Sequence, residues 1–173
     1  MIGIIAAVSL NGVIGTYEGS DIWNIPWKYL EDMKHFKTTT EHSNIIMGKN
    51  TYASMGYKPL KNRRNFVISK TLNEESIPSH NFFINKTIEE ALEISSYYSD
   101  YQNTWFIGGE SIYHEALNYA DKILLTIIPQ NIRHKDPIMF PWINPLEFKQ
   151  TNQVQLYDKE NNPTLIVAEY YKI

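Results

Sequence analysis

One carboxylate in this chain stands where carboxylates are rare. In "IPWKYLEDMKHFK", residues 25 to 37, helical spacing puts Tyr29, Asp32, Met33 and Phe36 on one face, because positions three and four apart are neighbours on a helix. Asp32 therefore falls on the apolar side, while Glu31, Lys34 and Lys37 fall toward the solvated side. A carboxylate among apolar side chains costs several kcal/mol unless hydrogen bonds compensate, so such a group is either networked or kept for chemistry. The chemistry on offer is the gripping of paired N–H donors. The ordinary role of an Asp near a helix start is to cap it. Pro26 marks the point of entry, which puts Asp32 a turn or more inside the helix and beyond capping range.

Two strand-to-helix junctions supply a second kind of chemistry. "TWFIGGESIYHEAL" reads as a buried strand, Gly108-Gly109, and a helix opening near Glu110 or Ser111. "IIMGKNTYASM" repeats the arrangement, with Gly48 ahead of Lys49, Asn50 and Thr51. A helix start after a strand turns unpaired backbone N–H groups and the positive end of the helix dipole toward an anion. One Gly-Gly turn is commonplace, and neither junction carries the G-x-G-x-x-G fingerprint. Two of them in one sheet could hold the two phosphate-bearing parts of a dinucleotide, the pyrophosphate at Gly109 and the adenosine side at Lys49. A third cluster, Lys58, Lys61, Arg63 and Arg64, packs cations into one short stretch, where charge runs ordinarily face water.

The elements that must position these groups alternate. "MIGIIAAVSL" is apolar on both pleat faces, as a central strand buried on both sides would be, and "NGVIG" after it supplies turn glycines. Further strands are expected at 44–48, 65–69, 81–85, 104–108, 122–128, 147–157 and 164–171, with helices at 28–38, 50–55, 87–98 and 110–118. Strand alternating with helix implies right-handed crossovers and parallel pairing. The last two strands, joined by "DKENNP", read as an antiparallel hairpin. The fold class is α/β, a mostly parallel eight-stranded sheet with an antiparallel C-terminal hairpin and about four helices.

Composition bounds the rest. A chain of 173 residues, 43% hydrophobic and 20% charged, fits one domain spanning 1–173. A net charge of -3 provides no general field for nucleic acid, and no apolar run reaches the roughly 20 residues of a membrane span. Zero cysteines exclude disulfides, thiol catalysis and Cys-based metal sites, and no metal site is read. No secretory leader is read, so the expectation is a cytoplasmic monomer without membrane or nucleic-acid partners.

Taken in order and with similar gaps, "IIAAVSLNGVIG", "IPW", "EDMKHFK", "IIMGKNTYASMG", "NRRNFVIS", "WFIGGESIYHEAL" and "ADKILLT" resemble the dihydrofolate reductase family. The resemblance covers about residues 2 to 129 and is looser beyond. It implies NADPH-dependent reduction of 7,8-dihydrofolate to 5,6,7,8-tetrahydrofolate, by hydride transfer to the pterin with protonation of the adjacent ring nitrogen, in support of one-carbon and thymidylate metabolism. Antifolate inhibitors are implied with it. In the family the Trp of "PW" precedes the catalytic carboxylate by five positions, which fits Trp27 and Asp32 and assigns Trp23 to a lengthened loop. The implied catalytic set is Asp32, Trp27 and Thr126.

For substrate the resemblance implies Ile5, Ala7, Met33, Phe36, Lys37, Met55, Leu60, Arg63, Ile107 and Tyr113. Several of these read equally well as core, and Arg64 competes with Arg63 for the substrate's carboxylate. For NADPH it implies Ala7, Ile14, Gly15, Lys49, Asn50, Thr51, Ser69, Lys70, Lys86, Gly108, Gly109, Glu110, Ser111 and Ile112. Residues 15 to 27 match the family's mobile lid, with Gly15 and Gly19 as hinges and Trp23 or Ile25 closing over the nicotinamide. Departures are "KNR" in place of Pro-Gly-Arg, a charged Glu110 whose side chain should turn away from a pyrophosphate, and "HKDPIMFP", spaced one residue differently, which leaves Asp136 without a role. Two other readings remain: a riboflavin-pathway NADPH reductase of the same fold, and a non-catalytic folate- or nucleotide-binding protein.

Overall fold

Alternating burial along the strands sorts the core into two layers, one on each face of a single sheet. The computed structural model describes residues 1–18, 22–73 and 80–173, with only the backbone described at Ile22 and Trp23. Central strand β1 (Ile2–Ser9) sends Ile4, Ala6 and Val8 to one face and Ile5 to the other. β4 (Asn44–Gly48), β5 (Arg64–Ile68), β7 (Thr104–Phe106) and β8 (Lys122–Ile128) divide their side chains in the same way. With β6 (Phe82–Asn85), β10 (Phe148–Tyr157) and β11 (Pro163–Lys172) they form an eight-stranded sheet in the order β10-β11-β8-β1-β7-β4-β5-β6. Pairing is parallel from β8 to β6, and β11 joins β8 antiparallel, as does β10 to β11. The expected architecture is observed.

Helices cover both faces, as a parallel sheet buried on both sides requires. α1 (Leu30–Thr40) and α2 (Lys49–Ser54) add Phe36 and Tyr52 to the layer that holds Ile5. α3 (Ile88–Ser96) and α4 (Glu110–Ala116) add Ile88, Ala91, Ile112 and Ala116 to the other. α3 is capped by the Thr87 side chain, which accepts from the Glu90 N–H. The turn between β10 and β11 is organised by Asp158, whose Oδ1 accepts from the Glu160 and Asn162 N–H groups.

Two expectations are corrected. "NGVIG" is only in part a turn: Gly12, at φ 84°, makes it, and the chain then enters strand β2 (Val13–Glu18). β2 pairs antiparallel with β3 (Ile22–Asn24) and β9 (Pro137–Met139), forming a second, three-stranded sheet. Gly15 thus lies inside a paired strand opposite Ile138 rather than at a free hinge. Gly19 and the side chain of Trp23 lie outside the described residues; Ile25 is exposed. The second correction concerns α1, which starts at Leu30 with Tyr29 in the capping position, so Asp32 belongs to the first turn instead of lying beyond it.

Candidate active site

Asp32 is held from below by the sheet. Thr126 on β8 is 1% exposed and sits in register with Ala7 on β1 and Val167 on β11. Burial raises the Asp32 pKa above the ordinary 3.8, and a hydrogen bond from the Thr126 hydroxyl, which favours the ionised form, opposes that rise. Among the described residues no cation forms an ion pair with this carboxylate. The Tyr113 phenol feels it: burial first, and the Asp32 charge second, push that pKa above its usual 10.0. Tyr113 spends its hydroxyl proton on the Ile5 carbonyl at 2.9 Å, fixing α4 to β1 beside the carboxylate. Tyr29, at the head of α1, accepts from Gln130 Nε2 at 2.8 Å, tying the helix start to the loop after β8.

The apolar residues that the resemblance assigns to the substrate, with Trp27, grade from core to surface. Ile5 and Ile107 are 4% and 8% exposed, Ala7, Trp27, Phe36, Met55 and Leu60 are half-buried, and Met33 is 55% exposed. The face of α1 expected to be apolar is therefore an open wall, with Phe36, Met55 and Leu60 packed on the core behind it. Lys37 is exposed.

The two arginines separate cleanly. Arg63 turns to the end of α1, where its Nε donates to Thr40 Oγ1 at 3.1 Å, Nη1 to the Lys61 carbonyl at 2.6 Å and Nη2 to the Lys37 carbonyl at 3.0 Å. A guanidinium carries five N–H groups, so two are spent on the helix, one on the loop itself, and two are left over among the described residues. Arg64 points elsewhere: its Nη2 takes both Asp100 oxygens at 3.0 Å, its Nη1 donates to Asn44, and the rings of Tyr98 and Tyr101 lie 3.9 Å and 4.9 Å from its centre. Its terminal nitrogens are committed at the amino ends of the strands, away from Asp32.

The two glycine junctions meet. Gly48 and Gly108, at the ends of β4 and β7, are joined by a 2.8 Å hydrogen bond from the Gly48 N–H to the Gly108 carbonyl. Beside them opens a cleft of about 410 Å³ lined by Lys49, Asn50, Thr51, Gly109, Glu110, Ser111 and Ile112 among others. Gly108 adopts φ 117°, and a Cβ there would lie 3.2 Å from the Tyr113 hydroxyl, so the position requires glycine. Thr51 Oγ1 is buried at the cleft and has no protein partner. Glu110 is exposed and borders the cleft. Ser69 lies beyond the end of β5, where its N–H donates to the Asn85 carbonyl at the end of β6, next to Lys86. Lys49 Nζ reaches Thr71, and Lys70 is exposed. Ile14 and Gly15 are buried in β2.

Sequence reasoning missed Tyr17, Ile68, Glu115 and Ile138, all of which line the cleft. Ile68 was accessible as the next-to-last residue of an expected strand. Tyr17 and Ile138 arrive through the small sheet, for which the sequence carried no recognised signal.

The dihydrofolate reductase family profile matches residues 1–172. The chain belongs to the dihydrofolate reductase family. It is 44% identical over 131 residues to the dihydrofolate reductase of Buchnera aphidicola subsp. Acyrthosiphon pisum, covering 76% of this chain and 74% of that one. It is 36% identical to the enzyme of Buchnera aphidicola subsp. Schizaphis graminum over 94% and 92% of the two chains. Among solved structures it is similar to a dihydrofolate reductase from Enterococcus faecalis in complex with NADP(H) and RAB-propyl, at TM-score 0.81 and 24% identity, covering 99% of this chain and 96% of that one. That likeness shows the fold.

Proposed function

We propose that this member of the family reduces 7,8-dihydrofolate to 5,6,7,8-tetrahydrofolate with NADPH, Asp32 gripping the pterin and Thr126 steadying Asp32. One observation carries the reading: a half-buried carboxyl, answered by a single hydroxyl and by no cation among the described residues, stands beside an open apolar wall. A carboxylate has two acceptor oxygens, which suit the two parallel donors on the amino-pyrimidine edge of a pterin. Its raised pKa lets it keep a proton to higher pH than an exposed Asp, close to the ring nitrogen that must receive one. Phe36, Met55, Leu60 and Ile107 shed water from the ring, which strengthens the carboxylate's hold. Trp27 flanks this wall. The two remaining Arg63 N–H groups form a fork for the substrate's carboxylate.

The residues at the second cleft fit the cofactor. An orphaned Thr51 hydroxyl, glycines that leave the backbone bare, and Lys49 beside Ser69, Lys70 and Lys86 suit an anionic dinucleotide with an additional phosphate. NADPH, when bound, supplies the hydride. Glu110 and Glu115 border the same cleft, and repulsion from phosphate keeps their carboxylates turned to solvent.

A spectrophotometric assay of the purified chain tests the proposal. Loss of NADPH absorbance is expected with dihydrofolate, slowed competitively by an antifolate, and absent with the pyrimidine substrate of the riboflavin-pathway reductase; turnover of that pyrimidine alone would move the chain to the rival reading. The same reading takes the chain as a cytoplasmic monomer of one domain, checked by sedimentation and by fractionation. No helix among the described residues is long and apolar enough to cross a membrane.

A further inference from the structure

Helix α1 carries the carboxylate, and its two ends are fastened by different means. At its end, Arg63 donates to the Lys37 carbonyl and to Thr40 Oγ1. At its start the capping position falls to Tyr29, whose side chain makes no capping hydrogen bond. Tyr29 holds the start in another way. Its carbonyl accepts from the Met33 N–H at 3.1 Å, the first turn of the helix, and its hydroxyl accepts from Gln130 Nε2 at 2.8 Å.

Gln130 is itself a fixed point. Its N–H donates to the Ile128 carbonyl at the end of β8, and its carbonyl accepts from the Leu10 N–H just after β1, both at 2.8 Å. Two residues on, Asn11 clamps Ile132: Nδ2 donates to the Ile132 carbonyl at 2.8 Å, and the Ile132 N–H donates to Asn11 Oδ1 at 2.9 Å. The turn after β1 and the loop after β8 are thus one block, and the Tyr29 hydroxyl hooks α1 onto it. Tyr29 lies three residues before Asp32, and Gln130 lies four residues after Thr126. The Tyr29 bond to Gln130 and the Asp32 bond to Thr126 therefore lace the same helix start to the same strand and its exit.

A helix pinned only at its far end can pivot. From Thr40 to Asp32 is about 12 Å of helix at about 1.5 Å per residue, so a tilt of about 5° moves the carboxylate by about 1 Å. A shift of that size at a reacting group slows a chemical step many-fold. We infer that Tyr29 and Gln130 are positioning residues for the reductase reaction: their hydrogen bond sets the first turn of α1 over β8 and so fixes where the Asp32 carboxylate meets the substrate. The inference rests on the role given to Asp32 above. Gln130 is exposed and Tyr29 half-buried, so the bond adds little to overall stability and its effect falls on geometry.

The test is a double-mutant cycle read by single-turnover hydride transfer from NADPH to dihydrofolate at pH 7. Tyr29→Phe keeps the ring and removes the acceptor; Gln130→Met keeps the length and removes the donor. Each should slow hydride transfer about fivefold, as the loss of one hydrogen bond predicts, and the double variant should slow it no further. NADPH affinity and the thermal midpoint should change little in all three. Gln130→Glu, whose carboxylate accepts the proton of the Tyr29 hydroxyl, should recover most of the rate. On an Asp32→Asn background, Gln130→Met should change the residual rate less than about twofold, because the hook acts through the carboxylate. Unmoved rates in both single variants would leave the bond a structural one and overturn the inference. Losses that add in the double variant, or that persist in full on the Asp32→Asn background, would overturn it too. Full turnover by Asp32→Asn would instead remove the reading on which it stands.

Discussion

The two ends of the parallel sheet differ in how densely their polar side chains bind one another. At the amino ends, Asn44 donates to Thr104 and to the Tyr101 carbonyl, while Arg64 binds Asn44 and Asp100 between two tyrosine rings. At the carboxyl ends, among the described residues, Thr51 Oγ1 is left without a partner and Asp32 is answered by the Thr126 hydroxyl with no cation paired to it. Buried polar groups are ordinarily satisfied, so a hydroxyl and a carboxyl with so few protein partners leave bonds for a ligand to complete. Arg63 and Arg64, adjacent at the amino end of β5, differ as well: Arg63 spends three of its N–H groups on α1 and its own loop, while Arg64 commits its terminal nitrogens to Asn44 and Asp100 and leaves its buried Nε without a partner among the described residues.

Breaking the amino end should cost stability and leave chemistry alone. Arg64→Ala removes the Asp100 bridge and the cation between the tyrosines, and should lower the midpoint of chemical denaturation while kcat of the folded protein is unchanged. Removing the arginine proposed to meet the substrate should do the reverse. Arg63→Gln is expected to raise the KM for dihydrofolate roughly 30-fold with a small change in kcat, as the loss of a charge-assisted pair predicts. It also loosens the end of α1, so a modest stability loss accompanies it.

Thr51→Val removes the orphaned hydroxyl and keeps the shape. NADPH binding should weaken roughly tenfold by fluorescence titration with no loss of thermal stability, and an unaltered affinity would mean that the hydroxyl serves no ligand. The Asp32 pKa sets a smaller effect with a definite sign. Because the folded pKa lies above 3.8, the folded state binds this proton more tightly than the unfolded state. Its contribution to stability is therefore complete below pH 3.8 and is lost as pH rises through the folded value. Asp32→Asn should accordingly melt above wild type at pH 7, and the advantage should vanish under acid conditions. The smallest effect belongs to Glu110→Gln. With its side chain in solvent, the change should alter NADPH affinity less than about twofold.

Much of this was legible in the residues, for physical reasons that also mark where reading stopped. β1, β4 and β8 are apolar on both faces because helices cover both, and that signal is local. Strand β2 is different: "VIGTYE" becomes a strand through pairing with Pro137–Met139, more than a hundred positions away, and its glycines read as turn. Residues reaching the cofactor cleft through that sheet, Tyr17 and Ile138, were hidden with it. Asp32 was found because a carboxylate at apolar spacing is anomalous, though the helix start was misread by two residues. Arg63 and Arg64 part company only in the fold, since neighbours along an extended chain point to opposite sides and spacing cannot say what either one faces.

The central claim is that the Asp32 carboxylate grips and orients the pterin. Single-turnover hydride transfer from NADPH to dihydrofolate at pH 7, compared between wild type and Asp32→Asn, tests it most directly. The account predicts a loss of roughly a hundredfold or more with NADPH affinity unchanged. Equal rates in the two proteins would contradict it.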